Sequence, residues 1–439
     1  LKTFAMLRVS GTFLLVVLLC LNALAQEKPH AFRGATIYPI EGNSIENGVL
    51  LVQHGKVLAL GNSGEVNIPA DAVVQDVAGK IIMPGMVDTH SHIGGGSGGD
   101  ASAPLQPDVR ILDAIDVRAD NFKKALAGGI TTVNVMPGSG HLLSGQTAYL
   151  KLRPANTIND MLFCKDPTND VCGGMKMANG TNSIRQTPFP GTRAKSAALV
   201  RQMYVKAQEY RAKIQAAKGD PAKMPKRELD MEALVQVLEG KRVVHHHTHR
   251  HDDILTVLRL AKEFGFRVVL QHVSEAWKVA KEIAEAGVPA SIIILDSPGG
   301  KLEAVDIRWE NGVALEQAGV LVGFHTDDGI TDSRLFLRSA AFGVRAGMSR
   351  QKALEAMTIA GATMMDLQDR VGSLRPGKDA DFLILSGDPL SVYTHVEQTW
   401  VEGIKMFDRS NPEDRKYAVG GYEVFRSDVS EDACEGGAQ

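Results

Sequence analysis

The sequence lacks several features that mark particular classes of protein. Its 48 lysine and arginine residues nearly balance 51 aspartate and glutamate residues, so it has no basic excess for nucleic acid or an anionic membrane. After the first 25 residues, no segment is apolar enough to cross a membrane. The dinucleotide fingerprint G-x-G-x-x-G is absent where a first βα turn would carry it. With 44% hydrophobic residues, the chain can still bury a sizeable core.

The one strongly apolar stretch lies at the beginning of the sequence. Lys2 and Arg8 supply positive charge, residues 11–21 are an apolar core, and residues 23–25 form a small-x-small pattern. This arrangement predicts a secretory signal peptide over 1–25. We therefore expect a secreted or periplasmic protein with no membrane attachment after cleavage. An uncleaved N-terminal anchor is the alternative.

Cysteine is scarce, with four residues in the whole sequence. Removal of the signal peptide would leave Cys164, Cys172 and Cys434. An oxidising compartment would favour a Cys164–Cys172 bridge, and two unpaired buried thiols are the alternative. Cys434 lies in an acidic segment, 426–439, for which we predict a flexible tail.

What the sequence does contain is an alternation of apolar, β-branched runs with helical stretches over 85–367. The runs include "GITTVNVM", "KRVVHHH", "FRVVLQH" and "GVLVGFHTDD". About eight such strands in roughly 290 residues indicate an α/β fold, a (β/α)8 TIM-type barrel. The flanking segments 26–84 and 368–425 are strand-rich and broken by turns, so we expect them to pair into one small β-sandwich domain.

Polar residues follow or end the predicted barrel strands. They are His90, His92, Lys176, His247, His249, His272 and Asp327. In such barrels the carboxyl ends of the strands form the catalytic face. The i, i+2 spacing of His90 and His92 points both imidazoles to one side, where they can hold one metal ion.

Histidine nitrogen with carboxylate oxygen suits Zn²⁺ or a similar divalent ion. A bound divalent ion brings the pKa of water towards about 7 and so supplies hydroxide at neutral pH. Asp327 can bind such an ion and also shuttle the proton as base and acid.

These motifs resemble the amidohydrolase superfamily, and within it the imidazolonepropionase-like and prolidase-like branch. The resemblance extends over nearly all of the chain after the signal peptide. It includes "PGMVDTHSH", "GITTV", "HRHDDI", "GFHTDD" and "ATMMDLQDRVGSLRPGKDADFLIL". It implies a distorted barrel with a metal centre.

The resemblance also implies a ligand set. Its members are His90, His92, a strand-five histidine, His272 and Asp327. In binuclear members a lysine carboxylated by CO2 bridges two ions, and Lys176 lies at that position. A buried lysine near metals loses its proton readily, as carboxylation requires. A structural lysine beside a single ion is the alternative.

The strand-five ligand stays open between two histidines. The family pattern favours His247, which would place His249 nearer the substrate. We predict that His249, His141, Tyr149 and Arg250 line the substrate pocket. A histidine stretch that only collects metal ions at the surface is a further alternative.

The sequence as a whole predicts an exported, metal-dependent hydrolase that cleaves the C–N bond of a small substrate, with zinc as the expected metal. Xaa-Pro dipeptides and cyclic amides are the substrates that the resemblance suggests. A deaminase acting on an amidine, and an inactive metal-binding relative, are the alternatives. We expect a small-molecule partner, no nucleic acid, and a homo-oligomer as one option.

Overall fold

The computed structural model describes residues 28–96, 99–294, 301–421 and 424–425. The predicted signal peptide (1–25) and acidic tail (426–439) lie outside these residues. The strands are β1 (His30–Ile37), β2 (Ile45–Gln53), β3 (Lys56–Asn62), β4 (Val73–Asp76), β5 (Ile81–Pro84), β6 (Met86–Ser91), β7 (Ile130–Val135), β8 (Leu143–Gln146), β9 (Ala148–Lys151), β10 (Met175–Ala178), β11 (Val244–Thr248), β12 (Val268–His272), β13 (Ala290–Ile292), β14 (Val322–Phe324), β15 (Phe382–Leu385), β16 (Val396–Val401) and β17 (Ile404–Asp408).

The α-helices are α1 (Asp120–Gly128), α2 (Ile158–Met161), α3 (Arg193–Ala217), α4 (Leu229–Leu238), α5 (His251–Phe264), α6 (Ala280–Glu285), α7 (Asn311–Gln317), α8 (Arg338–Arg345), α9 (Arg350–Ala356), α10 (Ile359–Met364) and α11 (Pro412–Val419). Among the residues that the structure describes, each helix is too short or too polar to cross a bilayer.

The two ends of the described chain meet in one mixed sheet, in the order β17-β16-β15-β5-β1-β2-β3, with β4 paired to β1. The ladder that joins them is antiparallel, and Ile82 of β5 lies opposite Ile384 of β15. Phe32, Phe382 and Trp400 form an aromatic core with ring centroids 4.9 to 5.5 Å apart. The expected β-sandwich is not confirmed, because the described strands form a single hydrogen-bonded sheet. The domain boundaries stay predictions.

Two further sheets carry the strands predicted for the barrel. One has the order β6-β7-β9 and the other has the order β14-β13-β12-β11-β10-β8. Strands β10 to β14 run parallel, and β6 runs parallel to β7. The α/β prediction stands, but the closed eight-stranded barrel is not confirmed. Within the described ranges no ladder joins the two sheets into a closed barrel.

The gap between these sheets lies at β8 and β9, which only Thr147 separates. Strand β8 pairs antiparallel with β10, and β9 pairs antiparallel with β7, so each sheet ends there on an antiparallel strand. A side chain on Gly173 would lie 2.0 Å from the Thr147 carbonyl oxygen, which requires glycine at this close approach. The two strands have four residues each, too few for a sequence period to reveal them.

At the opposite junction, individual hydrogen bonds connect the sheets. The backbone N–H of Asp327, after β14, donates to the carbonyl oxygen of His90 on β6 at 2.9 Å. The hydroxyl oxygens of Thr89 on β6 and Ser291 on β13 lie 2.6 Å apart. The carboxyl ends of these strands are therefore held together at one face of the molecule.

Helix α5 illustrates how the sequence sets the elements around the sheets. Its buried residues include Ile254, Val257, Leu260 and Phe264, a spacing that places them on one helix face. The helix ends at Gly265, whose φ of 74° is a left-handed conformation that glycine adopts without strain. Because the helix begins immediately after β11, it fixes the short turn that follows the histidine-rich strand.

Cys164 and Cys172 form a disulfide bond. Of the two alternatives left open by the sequence, the bridged form is therefore the one present. The bridge closes a loop directly before β10, and the carbonyl oxygen of Cys172 accepts a hydrogen bond from the backbone N–H of Tyr149 at 2.9 Å. This loop leads into the strand that carries Lys176.

Candidate functional site

His90 and His92 lie at the end of β6, and both are buried. Asp88 on the same strand accepts the backbone N–H groups of His90 and Thr326 at 3.2 and 3.1 Å, and the Thr326 hydroxyl at 2.5 Å. Burial raises the pKa of Asp88 to about 7. These bonds fix the end of β6 against the segment that carries Asp327.

Two imidazoles and a carboxylate converge at this point. The Oδ1 atom of Asp327 lies 2.9 Å from Nε2 of His92 and 3.4 Å from Nε2 of His90. The Nδ1 atom of His92 lies 2.8 Å from the Met136 carbonyl oxygen. A carbonyl oxygen only accepts, so Nδ1 donates this hydrogen bond and fixes the orientation of the His92 ring.

Three further histidines pack against one another beside these residues. The ring centroid of His247 lies 4.6 Å from that of His249 and 4.5 Å from that of His272. The Nδ1 atom of His249 is 2.8 Å from the Ser274 hydroxyl oxygen. The Nδ1 atom of His272 is 3.9 Å from Oδ2 of Asp327. One oxygen of Asp327 therefore faces His90 and His92, and the other faces His272.

Lys176 is completely buried on β10 and contacts His90. Its Nζ atom lies 3.0 Å from Nε2 of His90 and 3.2 Å from the sulfur of Met136. The parallel pairing of β10 with β11 places Ala178 opposite His247. The carboxyl ends of β10 and β11 therefore lie side by side.

The converging side chains described so far, together with His325, are called the histidine cluster below. The histidine cluster consists of His90, His92, Lys176, His247, His249, His272, His325 and Asp327.

The backbone in and directly beside the cluster is strained at three residues that are not glycine. His272, Val273 and Asp327 have φ angles of 68°, 41° and 50°. Such conformations are uncommon outside glycine and cost roughly 1–3 kcal/mol each. They persist where the surrounding structure holds them, which is typical of functional sites.

Burial sets the protonation of these groups. It lowers the pKa of His90, His247 and His272 well below the usual imidazole value. Burial alone would raise the pKa of Asp327, but His90 and His92 outweigh it, and the pKa of the carboxyl falls well below its usual range. Neutral imidazole and ionised carboxylate are the forms that bind metal ions.

The cluster fits a divalent metal ion on the chemistry of its own atoms. Several of its buried nitrogens have no hydrogen-bond partner among the described residues. They are Nδ1 of His90, both ring nitrogens of His247, Nε2 of His249 and Nε2 of His272. Buried polar atoms without partners are rare in proteins. Imidazole nitrogen with carboxylate oxygen is the donor set of zinc sites.

Sequence reasoning missed His325, which lies two residues before Asp327. Its Nε2 atom is 3.0 Å from Nδ1 of His272, and its Nδ1 atom is 2.8 Å from the Ser291 hydroxyl oxygen. The signal was present, because the i, i+2 spacing after a buried strand repeats that of the first histidine pair.

Glu303 is the second residue that the sequence did not reveal. It is 2% exposed and lies between β13 and α7. Its Oε1 atom is 3.9 Å from Nε2 of His247. Glu303 lies in the short 3-10 turn Leu302–Ala304 and not at the end of a described strand, so its sequence position carries no sign of this contact.

Two of the residues predicted to line the pocket have protein partners. His141 is buried, its ring centroid lies 5.3 Å from that of Phe189, and its Nε2 atom is 3.5 Å from Nη2 of Arg185. The hydroxyl oxygen of Tyr149 lies 2.8 Å from Nε2 of His245. Contact of His141 and Tyr149 with a substrate stays a prediction.

The other two predicted pocket residues differ in their position. His249 belongs to the histidine cluster. The guanidinium of Arg250 forms two hydrogen bonds with the carboxylate of Asp252, at 3.0 and 2.9 Å, in the first turn region of α5. Substrate contact stays a prediction for both of them.

Similarity to known proteins shows the family to which the chain with this site belongs. The sequence model of the amidohydrolase family matches residues 81–406. This chain belongs to the amidohydrolase family. The resemblance predicted from the sequence motifs is therefore confirmed.

Three similar proteins illustrate the range of this amidohydrolase family. An amidohydrolase of Thermotoga maritima is 34% identical with a TM-score of 0.80, covering 86% of this chain and 100% of its own. Amidohydrolase tasK of Hapsidospora irregularis is 26% identical over 87% of this chain, which spans only 43% of that protein. An imidazolonepropionase of Deinococcus radiodurans is 24% identical over 84% of this chain and 92% of its own.

The comparisons imply a TIM-barrel-like α/β fold for the two central sheets. They also support a hydrolase that acts on C–N bonds and uses a divalent metal. Proteins named deaminases occur among the other relatives. The family therefore supports a class of reaction and leaves the substrate to be proposed.

Proposed function

We propose that this amidohydrolase cleaves an amide or peptide-like C–N bond of a small substrate at the histidine cluster. The observation that carries the proposal is the position of the Asp327 carboxylate. One oxygen lies 2.9 Å from Nε2 of His92, and the other lies 3.9 Å from Nδ1 of His272. A buried carboxylate that faces imidazoles with both of its oxygens can share in metal binding and still exchange a proton with a reacting molecule.

We propose that two divalent ions, zinc first among them, bind at the cluster. His90, His92 and Asp327 would hold one ion, and His247 and His272 would hold the other. The unpartnered buried nitrogens of His247 and His272 support this division. When bound, such ions polarise a substrate oxygen and lower the pKa of water to about 7.

We further propose that the neutral amine of Lys176 adds CO2 and releases a proton, which would give a carbamate able to bind both ions. Its buried Nζ atom lies 3.0 Å from Nε2 of His90. An ammonium group on Lys176 would donate a hydrogen bond to Nε2 of His90 and so occupy the lone pair with which this nitrogen binds a metal ion. A carboxylated lysine would instead offer anionic oxygens to both ions.

In this proposal the proton transfers belong to Asp327. The histidines around it hold the pKa of its carboxyl well below the usual range, so the carboxylate is ionised and can accept a proton from water. It then returns the proton to the leaving nitrogen. Its backbone N–H, bonded to the His90 carbonyl oxygen at 2.9 Å, holds the residue in position.

Deamination of an amidine or ring substrate is the second candidate function. The relatives named deaminases favour it. Lys176 favours amide cleavage, because the deaminases of this superfamily resemble the single-metal type. An inactive metal-binding relative is the third candidate, since a fold does not by itself imply activity.

We propose that the protein acts outside the cytoplasm on a small molecule such as an Xaa-Pro dipeptide or a cyclic amide. The signal-peptide pattern at 1–25 supports export. The Cys164–Cys172 bridge also supports it, because disulfides persist in oxidising compartments. A homo-oligomer is compatible with this proposal.

The test combines elemental analysis with a substrate panel. The panel contains N-acyl amino acids, Xaa-Pro dipeptides, cyclic ureides and amino-substituted rings that contain an amidine. We expect a new amine and carboxylate from a member of the first three groups, loss of turnover after chelation, and recovery with Zn²⁺.

Each contrary result has its own meaning. Ammonia released from the ring amidines alone would identify a deaminase. No turnover by fully metal-loaded protein would identify an inactive relative. Full turnover after exhaustive chelation would overturn the proposed metal dependence.

A further inference from the structure

Glu303 has one carboxylate oxygen fixed by the loop that follows β10. The backbone N–H of Thr181 donates to its Oε2 atom at 2.6 Å. Gly180 makes room for that oxygen, because a side chain there would lie 2.4 Å from it. The φ of 79° at Gly180 also favours glycine. The loop is thus shaped around this carboxylate.

Arg193 of α3 approaches the same oxygen. Its Nη2 atom lies 3.9 Å from Oε2 of Glu303, and its Nε atom donates to both oxygens of Asp253 at 3.0 and 2.9 Å. The guanidinium is therefore anchored to α5 while its charge faces Glu303. Both contacts orient the carboxylate so that Oε1 points away from them, towards the histidine cluster.

The Oε1 atom of Glu303 is buried and has no hydrogen-bond partner among the described residues. It lies 3.9 Å from Nε2 of His247, too far for a direct hydrogen bond. The Nε2 atom of His249 is also buried without such a partner, because Ser274 contacts only its Nδ1 atom. One ligand atom from each of His247, His249 and Glu303 lies within 4.8 Å of the other two.

Three buried polar atoms that converge without partners point to a ligand between them, since buried polar atoms otherwise find partners. Two imidazole nitrogens and a carboxylate oxygen are a recurrent zinc ligand set. We propose that Glu303 supplies a carboxylate oxygen to a divalent cation held beside His247 and His249. This cation is the second ion of the proposed function, on which the inference rests.

The test compares metal binding by Glu303→Gln and wild-type protein, both purified as the full chain. Glu310→Gln is the matched control, because Glu310 is an exposed acid in the same segment. Metal content is measured by elemental analysis, affinity by chelator competition, and ligation by the visible spectrum of the Co²⁺-loaded protein. We expect Glu303→Gln to bind one of the two ions about 10–100-fold more weakly, with an altered cobalt spectrum. Glu310→Gln should match the wild type.

The proposal is overturned if Glu303→Gln keeps two ions with wild-type affinity and spectrum. If that variant does not fold, Glu303→Asp provides the same measurement with the charge retained and the reach shortened. Weaker binding of one ion by Glu303→Asp supports the proposal, and unchanged binding contradicts it. A wild-type protein that holds only one ion would instead contradict the two-ion proposal itself.

Discussion

The Nζ atom of Lys176 lies 3.0 Å from Nε2 of His90, although 86 residues separate them in the chain. The two residues belong to different sheets, on β10 and β6. Both are completely buried, so no water competes for this contact. The arrangement is therefore built into the folded protein and does not arise from a flexible side chain at the surface.

Replacing Lys176 tests whether this lysine bridges two ions. We expect Lys176→Ala to lower the metal content from two ions to one, and Lys176→Glu to restore part of the loss because a carboxylate can bridge. Elemental analysis measures the content, and Lys195→Ala, at an exposed lysine of α3, is the control. Two ions bound to Lys176→Ala would contradict the bridging role.

Separate replacement of Asp327 and Asp328 distinguishes the role of the proposed reactive carboxylate from that of its neighbour. The first variant is Asp327→Asn. We expect kcat to fall by about 10²–10⁴-fold, because the amide cannot accept the proton. Asp328→Asn is the comparison, since Asp328 accepts from Ser333 and pairs with Lys124 away from the cluster. That variant should lose thermal stability and keep its metal content. Equal kcat in Asp327→Asn and the wild type would end the proposed role.

His325 should act by positioning His272. Its ring connects Nδ1 of His272 to the Ser291 hydroxyl, which lies 2.6 Å from the Thr89 hydroxyl oxygen. We expect His325→Ala to weaken binding of the ion at His272 by about 10–100-fold in chelator competition, with the full content restored at high metal concentration. A content that stays one ion lower at saturation would instead make His325 a direct ligand.

Protonation of the Asp379 carboxylate should make the free energy of unfolding depend on pH in acid. Burial would raise the pKa of this carboxyl, but the charge of Lys151 and hydrogen bonds from Lys151 and Lys56 outweigh it and lower the pKa to about 2. The ionised Asp379 carboxylate contributes fully to the free energy of unfolding when the pH is above 3.8, the usual pKa of this group. This contribution is lost as the pH falls towards 2. It amounts to about 2 kcal/mol.

Asp379→Asn should therefore lower the free energy of unfolding at neutral pH by about 3–5 kcal/mol, because it leaves the buried Lys151 partly uncompensated. The difference from the wild type should shrink as the pH falls below the usual pKa of aspartate. Denaturant titrations across this pH range measure it. Asp388→Asn, at an exposed ion pair with Arg350, is the control. A difference that is constant with pH would contradict the assignment.

The sequence predicted four neighbouring strands of the six-stranded sheet. Apolar β-branched runs mark β11, β12, β13 and β14, and such runs are typical of strands buried on both faces. The spacing of His90 and His92 likewise predicted that both face one point, where the structure places Asp327. These features depend on local periodicity, which a sequence displays directly.

Other features depend on contacts that no local pattern records. The two central sheets end at the short strands β8 and β9, and the strands from the two ends of the described chain form one sheet, so the closed barrel and the sandwich are not confirmed. The partner of Tyr149 is His245, which belongs to a histidine run that the sequence could not divide. Glu303 reaches the site because its carboxylate is held by Thr181, which is 122 residues away.

The sequence by itself determined the family, the α/β pattern and the residue types at the strand ends, because motifs and periods are properties of the chain. Only the tertiary structure decided which ring nitrogens lack partners and that His325 and Glu303 join the cluster. It also decided that, within the described residues, individual hydrogen bonds and not a continuous ladder connect the two central sheets. These outcomes depend on distances of a few ångströms between distant segments, and packing sets such distances only when the whole chain has folded.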